Sequence, residues 1–297
     1  MSSKYFSDNL LKTGIVVSMI LWGLSWPSGK VLTNYLSPLS FIVWRYTLVG
    51  LTLLPILFII KSPLSGSRKG IPYIIISGFL LACYSYLFYK GLKYGMAGAG
   101  GVLVTTLNPI IAYTIGIFIN RRIPSRIELA GLLCGLLAGC ILLKIWSQST
   151  IFDNSNLFFL GASFTWALMS VFTSKAKMFG TSFSFSFWQY LFCIVCILPL
   201  VNFHEVFSAV YINDSVFWFN MIFSSVIVTA LATTLYFYAT TKIGPEKASS
   251  YIFLVPFAAE LSSWLLLDEP LLVHTIAGGV LGIVAVYLIN RYKVVSK

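Results

Sequence analysis

Apolar residues along the chain gather into long runs separated by short polar connections, without the strict alternation expected of half-buried strands. Ten such runs are predicted, at approximately 12–31, 38–60, 71–90, 97–119, 126–145, 156–175, 184–203, 216–240, 247–267 and 271–290. A hydrocarbon core about 30 Å thick takes about 20 apolar residues per crossing, so ten crossings occupy roughly 200 of the 297 residues. No length is left for a soluble domain. Each crossing must be helical, because lipid offers no partner to an unpaired backbone amide and a membrane β-barrel would show short alternating strands instead. The predicted fold is an all-α integral membrane protein of ten transmembrane helices. The first run follows Lys4 and Lys12 as a secretory signal would, but it is longer than a usual signal core and lacks a small-residue cleavage site. It is read as a retained helix.

The landmarks within these runs recur. Trp44-Arg45-Tyr46 with Pro55 reappears 144 residues on as Trp188-Gln189-Tyr190 with Pro199, and Trp22-Gly23-Leu24 faces Trp166-Ala167-Leu168 at the same offset. Pro109, Gly131 and Gly135 match Pro256, Gly278 and Gly282 at an offset of 147. The copies are delimited as 12–145 and 156–292, five helices each. An odd number of crossings per copy inverts the second relative to the first, and the basic pair Arg121-Arg122 becoming the acidic pair Asp268-Glu269 fits that inversion. Two inverted five-helix repeats place a substrate site near the midplane between them.

Charge sharpens the topology. With both termini on the cytoplasmic side, that side carries 15 basic residues and the other carries 4, with Arg45 near the start of the second helix. Only 10% of residues are charged, 58% are hydrophobic, and mean hydropathy is +0.88. The net charge of +11 therefore reads as topology and contact with anionic headgroups in a cytoplasmic (inner) membrane. Nucleic-acid binding is not expected. All five cysteines fall within the runs, and Cys193-x-x-Cys196 on an apolar helix reads as packing rather than metal or redox chemistry. The two histidines stand singly, and no nucleotide-binding or hydrolase motif is present, so neither an enzyme nor a bound cofactor or metal is expected.

Several local signals together resemble the EamA-type members of the drug/metabolite transporter superfamily. They are Trp22-Gly23 with Lys30 in the first helix, Ser37-Pro38-Leu39 and Arg45-Tyr46 opening the second, Trp166-Ala167 with Ser170-Val171 in the sixth, and Pro256-Phe257-Ala258-Ala259 leading to Trp264 and Asp268-Glu269. Many relatives carry an acid where this chain has Arg122, which favours a topological role for that corner. The resemblance implies a central cavity surrounded by helices 1–4 and 6–9, helices 5 and 10 at the periphery, and alternating access for a small metabolite.

Candidate residues follow from chemistry at depth. Glu260, alone among the acids, lies mid-run between apolar neighbours, and an ionisable group there is normally turned toward a cavity or partner. It is the candidate for a substrate amine or a coupling proton. Trp22, Trp26, Tyr84, Tyr86, Trp166, Tyr190 and Tyr251 fall on the helices expected to face the cavity, where rings hold amphipathic or cationic ligands. Asn108 and Gln189 add amides with donor and acceptor capacity. Pro109 and Pro256 interrupt helical hydrogen bonding and are the candidate hinges. Arg45 and Lys30 read as anchors whose long side chains reach toward headgroups. The spacing of Gly131, Gly135, Gly139, Gly278 and Gly282 reads as close helix packing within a monomer, with a weak homodimer as the alternative. The expected function is secondary transport, by facilitation or proton coupling, of a small amphipathic metabolite of the amino-acid class, with amino-acid export as one direction. S-adenosylmethionine or another nucleotide-like metabolite is the alternative substrate. A non-transporting receptor or structural membrane protein is the alternative class.

Overall fold

The computed structural model describes residues 8–121, 123–147, 153–233, 235–236 and 250–295. Arg122, part of the expected eighth helix and the start of the ninth lie outside the described residues. Within them the elements are α1 (Asp8–Leu32), α2 (Pro38–Ile59), α3 (Ile71–Tyr94), α4 (Ala97–Asn120), α5 (Arg126–Leu142), α6 (Asn154–Thr173), α7 (Ser182–Ile197), α8 (Ser215–Ala232), α9 (Leu254–Leu267) and α10 (Val273–Val295). Among the described residues, seven helical stretches are long and apolar enough to cross a bilayer by themselves. The count of ten is reached by adding α5, α9 and α10, the first of which has 17 residues and rises about 25 Å. A 3₁₀ turn over Ser250–Phe253 leads directly into the 14 residues of α9.

Polar residues set the helix starts. Ser37 caps α2 ahead of Pro38, Ser125 and Glu128 form a reciprocal capping box on α5, and Asp153, Thr181 and Asp214 cap α6, α7 and α8. Glu128 is buried and also accepts from the Tyr113 hydroxyl, so its charge is held at a helix N-terminus. At the other ends, Arg121 follows α4 with φ 48° and Asp268 follows α9 with φ 53°. These two residues are 147 positions apart, the offset of the later repeat block. The backbone stop is thus the same in both copies while the side-chain charge is reversed.

Packing repeats as well. Replacing each helix by its partner five places along turns the contact of α1 with α8 into that of α6 with α3, α1 with α9 into α6 with α4, and α2 with α8 into α7 with α3; all six occur. The self-related pairs α2 with α7, α4 with α9 and α5 with α10 also occur, as a two-fold arrangement between the copies requires. Hydrogen bonds obey the same relation. The Trp44 indole donates to the Val206 carbonyl at 2.9 Å, and the Trp188 indole donates to the Leu64 carbonyl at 2.7 Å. Each copy's tryptophan therefore ties down a connection belonging to the other copy, at opposite ends of the α2–α7 pair.

The glycine faces are filled from within the chain. A Cβ on Gly131 would lie 2.9 Å from the Ala285 carbonyl of α10, and one on Gly278 would lie 2.7 Å from Leu142 of α5. Gly282 faces Thr106 of α4, and Gly135 faces Ile110 of the same helix. Small residues at these positions let α4, α5 and α10 approach closely, which in lipid is a main source of helix association.

Candidate functional site

A cavity of about 460 Å³ lies between the two copies. Residues of α1–α4 and α6–α10 line it, so the eight helices named by the resemblance are joined by α10 through Gly282, Ile283 and Val286. Of the residues singled out in the sequence, Trp22, Trp26, Tyr84, Asn108, Pro109, Trp166, Gln189, Tyr190 and Pro256 are in the lining. Repeat-related residues meet there: Trp22 with Trp166, Arg45 with Gln189, Tyr46 with Tyr190 and Pro109 with Pro256. Tyr46 and Tyr190 stack with centroids 5.1 Å apart and an interplanar angle of 19°. The wall continues through Tyr84 against Trp166 at 4.7 Å and Trp26 against Phe88 at 4.6 Å.

Three of the expected residues lie elsewhere. Tyr86 is two positions from Tyr84 on α3, which turns it about 200° around the helix; the Lys90 ammonium sits 5.7 Å from its ring. Tyr251 precedes α9 and packs against the cluster of Leu11, Ile15, Met19 and Val255. Glu260 is 8% exposed and faces α4 rather than the cavity, where a Cβ on Gly98 would come within 2.7 Å of its Oε2. Among the described residues neither carboxyl oxygen of Glu260 has a partner in full hydrogen-bond geometry, and the Leu272 amide is the backbone donor that interacts with it. The adjacent Ser263 hydroxyl is unpartnered too.

Arg45 and Lys30 do not reach for headgroups as expected. Arg45 lines the cavity and donates to the Tyr89 hydroxyl and, at 2.8 Å, to the Thr229 hydroxyl of α8. Thr229 lies in a π-helical stretch, Phe223–Ala232, and its own hydroxyl donates to the Ser224 carbonyl five residues back. Widened turns of this kind re-aim side chains and are common at functional sites. Lys30 donates to the Gly95 carbonyl at 2.6 Å, closing the end of α3. The two prolines also differ. Pro109 sits inside α4, where its missing N–H removes a backbone bond, whereas Pro256 is the third residue of α9, at the junction with the preceding 3₁₀ turn.

Far from the N-terminal end of α1, three polar ties join the copies beyond the cavity. Glu269 accepts from the Ala97 and Gly98 amides at 2.8 Å each, capping α4 with a carboxylate from the other copy. Asp214 accepts from the Tyr35 hydroxyl at 2.6 Å. Glu205, in the short helix Phe203–Ser208, accepts from the Ser37 amide and from the Ser37 and Ser40 hydroxyls, each at 2.6 Å. Burial opposes the charge on Glu205, but the bonds from Ser37 and Ser40 prevail and hold its pKa below the ordinary 4.5. A lowered folded-state pKa makes the tie fully stabilising above that ordinary value and lets it fade as pH falls through the depressed one. The thermal midpoint of the purified protein is expected to fall on acidification below about pH 4.5, and Glu205→Gln to reduce the midpoint at neutral pH and flatten that slope. An unchanged slope in the variant would assign the acid response to other carboxylates.

Comparison with known proteins agrees with this architecture. The EamA-like transporter family matches the chain twice, over residues 13–144 and 154–291. The chain is 26% identical over 274 residues to the uncharacterized transporter YoaV of Bacillus subtilis, covering 90% of this chain and 92% of that one. It is 27% identical over 283 residues to the uncharacterized transporter YvbV of the same organism, covering 94% and 91%. A protein of Salmonella typhimurium named "Probable amino-acid metabolite efflux pump" is 24% identical over 290 residues, covering 91% of each. A crystal structure at 14% identity superposes with a TM-score of 0.60 over 92% of this chain and 94% of that one, a likeness of fold. With two copies of the family's repeat covering nearly its whole length, the chain belongs to the EamA-like transporter family and is a membrane transporter.

Proposed function

We propose that the protein is a secondary transporter working by alternating access, with both termini in the cytoplasm of a cell whose inner membrane it spans. Its cargo is a small amphipathic metabolite of the amino-acid class. The observation that carries this reading is the meeting of Trp22 with Trp166, Tyr46 with Tyr190 and Arg45 with Gln189 around one cavity at the interface of the repeats. Inverted copies that share one site can exchange conformations and so expose it to either face in turn. Aromatic walls suit an apolar cargo body, and the unpartnered acceptors Asn108 Oδ1 and Thr173 Oγ1 suit a donor such as an ammonium group. The name of the Salmonella relative supports the same substrate class. A cationic cargo such as S-adenosylmethionine would call for an acid beside the rings, and Glu260 of α9 faces α4 outside the cavity, which weakens that alternative.

Glu260 is proposed as the coupling group. A buried carboxyl with no side-chain partner among the described residues at the α4–α9 contact can take or release a proton and thereby alter that contact. The test is uptake by proteoliposomes of a panel of labelled amino acids and related metabolites, with and without a pH gradient. Saturable uptake is expected, with the gradient's effect lost in Glu260→Gln while uptake without a gradient persists. An intact gradient effect in the variant removes Glu260 from coupling, and uptake of none of the panel favours a receptor.

A further inference from the structure

We infer that the cargo is a monocarboxylate, held by the guanidinium of Arg45; this rests on the proposed reading of the cavity as the transport site. Among the described residues lining the cavity, Arg45 carries the one fixed charge, and no Asp or Glu is among them. An arginine side chain stays charged in proteins, and a charge in the hydrocarbon region is normally paired. Here its partners are neutral: the Tyr89 hydroxyl and the Thr229 hydroxyl at 2.8 Å. Its Nε is buried with no hydrogen-bond partner among the described residues. Gln189, related to Arg45 by the repeat, is an amide whose Nε2 donates to the Ser77 carbonyl at 3.4 Å, so the inversion supplies no balancing acid. Among the described residues the cation is thus uncompensated and has a spare donor, in a cavity lined by rings, aliphatic side chains and neutral polar groups.

An anion entering the cavity would supply what the lining lacks. The planar fork of a guanidinium matches the two oxygens of a carboxylate, and Tyr89 and Thr229 hold the guanidinium from its other donors. A single positive charge suits a single negative one; a phosphate dianion would bring more charge than this lining balances. The rings of Trp26, Tyr84 and Trp166 then contact the apolar body of the cargo. An amino acid fits through its carboxylate, and so does an aromatic or branched acid without an amine.

The test uses four probes sharing one ring: phenylacetate and L-phenylalanine, which carry the carboxylate, and L-phenylalaninamide and 2-phenylethylamine, which lack it. Binding to the purified full chain is followed by intrinsic fluorescence, since Trp22, Trp26 and Trp166 line the cavity. The two carboxylates are expected to bind at least tenfold tighter than the other two. Arg45→Gln should lose that preference, and Arg45→Lys should keep part of it, retaining the charge without the fork. The lysine variant keeps the test readable if the glutamine variant fails to fold. Equal affinity across the four, preference for the amine or amide, or binding of none of them overturns the assignment, as does an unaltered preference in both variants. Counterflow of the same probes in proteoliposomes separates the two readings: carboxylate binding without counterflow leaves the anion site standing and overturns transport, while counterflow without carboxylate preference does the reverse.

Discussion

Gly23→Val is expected to destabilise the protein by about 3 kcal/mol and to sharply reduce the yield of monodisperse material. Gly23 lies where α1 crosses α9. A Cβ at this position would fall 2.3 Å from the Ala258 Cβ and 2.8 Å from both the Ala258 carbonyl carbon and the Ala259 nitrogen. A side chain could rotate away, but two of the three atoms are backbone, so relief requires the helices to separate. In lipid that separation forfeits the close contact on which helix association depends. Ala258→Gly in the same chain should recover only part of the loss, because the backbone atoms remain. Gly116→Ala provides the control: no atom of the described residues outside its own stretch of helix lies within 4 Å of its would-be Cβ, and removing a helical glycine is neutral or favourable by roughly 0.5–1 kcal/mol. Thermal unfolding in detergent measures all three, and a Gly23→Val midpoint equal to wild type would show that α1 and α9 do not pack this closely.

Glu269→Ala is expected to raise access to the cavity, from the face that carries Glu269, by tenfold or more. The carboxylate receives two backbone amides at the start of α4 from the opposite copy. Hydrogen bonds to charged groups contribute about 1.5–3 kcal/mol each when well shielded. Discounting for its partial exposure, about 2 kcal/mol is a fair total, which shifts a two-state equilibrium about thirtyfold. The measurement is the reaction rate of Ser170→Cys, which lines the cavity, with an impermeant maleimide in a background lacking the five native cysteines. Glu269→Gln, keeping one acceptor, should fall between. A rate unchanged in the alanine variant would mean that this tie does not hold the cavity closed.

The helices, their inversion and the convergence of the repeats were legible because lipid imposes them: each crossing needs an apolar run, and each turn a polar break. The paired tryptophans, tyrosines and prolines marked the cavity for a related reason, since residues kept at matching offsets in inverted copies are brought near a common axis. What could not be read was the facing of individual side chains. On a helix apolar all round, Tyr84 and Tyr86 are known to point apart, but nothing tells which points inward, because lipid and core accept the same residues. The same blindness exchanged the parts of Arg45 and Glu260: both were visible as ionisable groups in apolar runs, and only packing shows that the arginine meets the cavity while the glutamate meets α4. The π-helical turns that bring Thr229 to Arg45 have no residue signature.

The indole bonds of Trp44 and Trp188 fasten α2 and α7 at opposite ends, so this pair is suited to serve as the stationary axle while the remaining helices rock around it. Arg45 rides on the axle, and its charge then stays at one depth throughout the cycle. The electric field across the membrane consequently acts on the cargo and on any proton that Glu260 carries, not on Arg45. For a net monoanion leaving a cell with a negative interior, about 100 mV supplies about 2.3 kcal/mol, close to a fiftyfold outward gradient, without any co-transported ion. A zwitterion feels no such pull, and its movement would be electrically silent unless a proton moves with it.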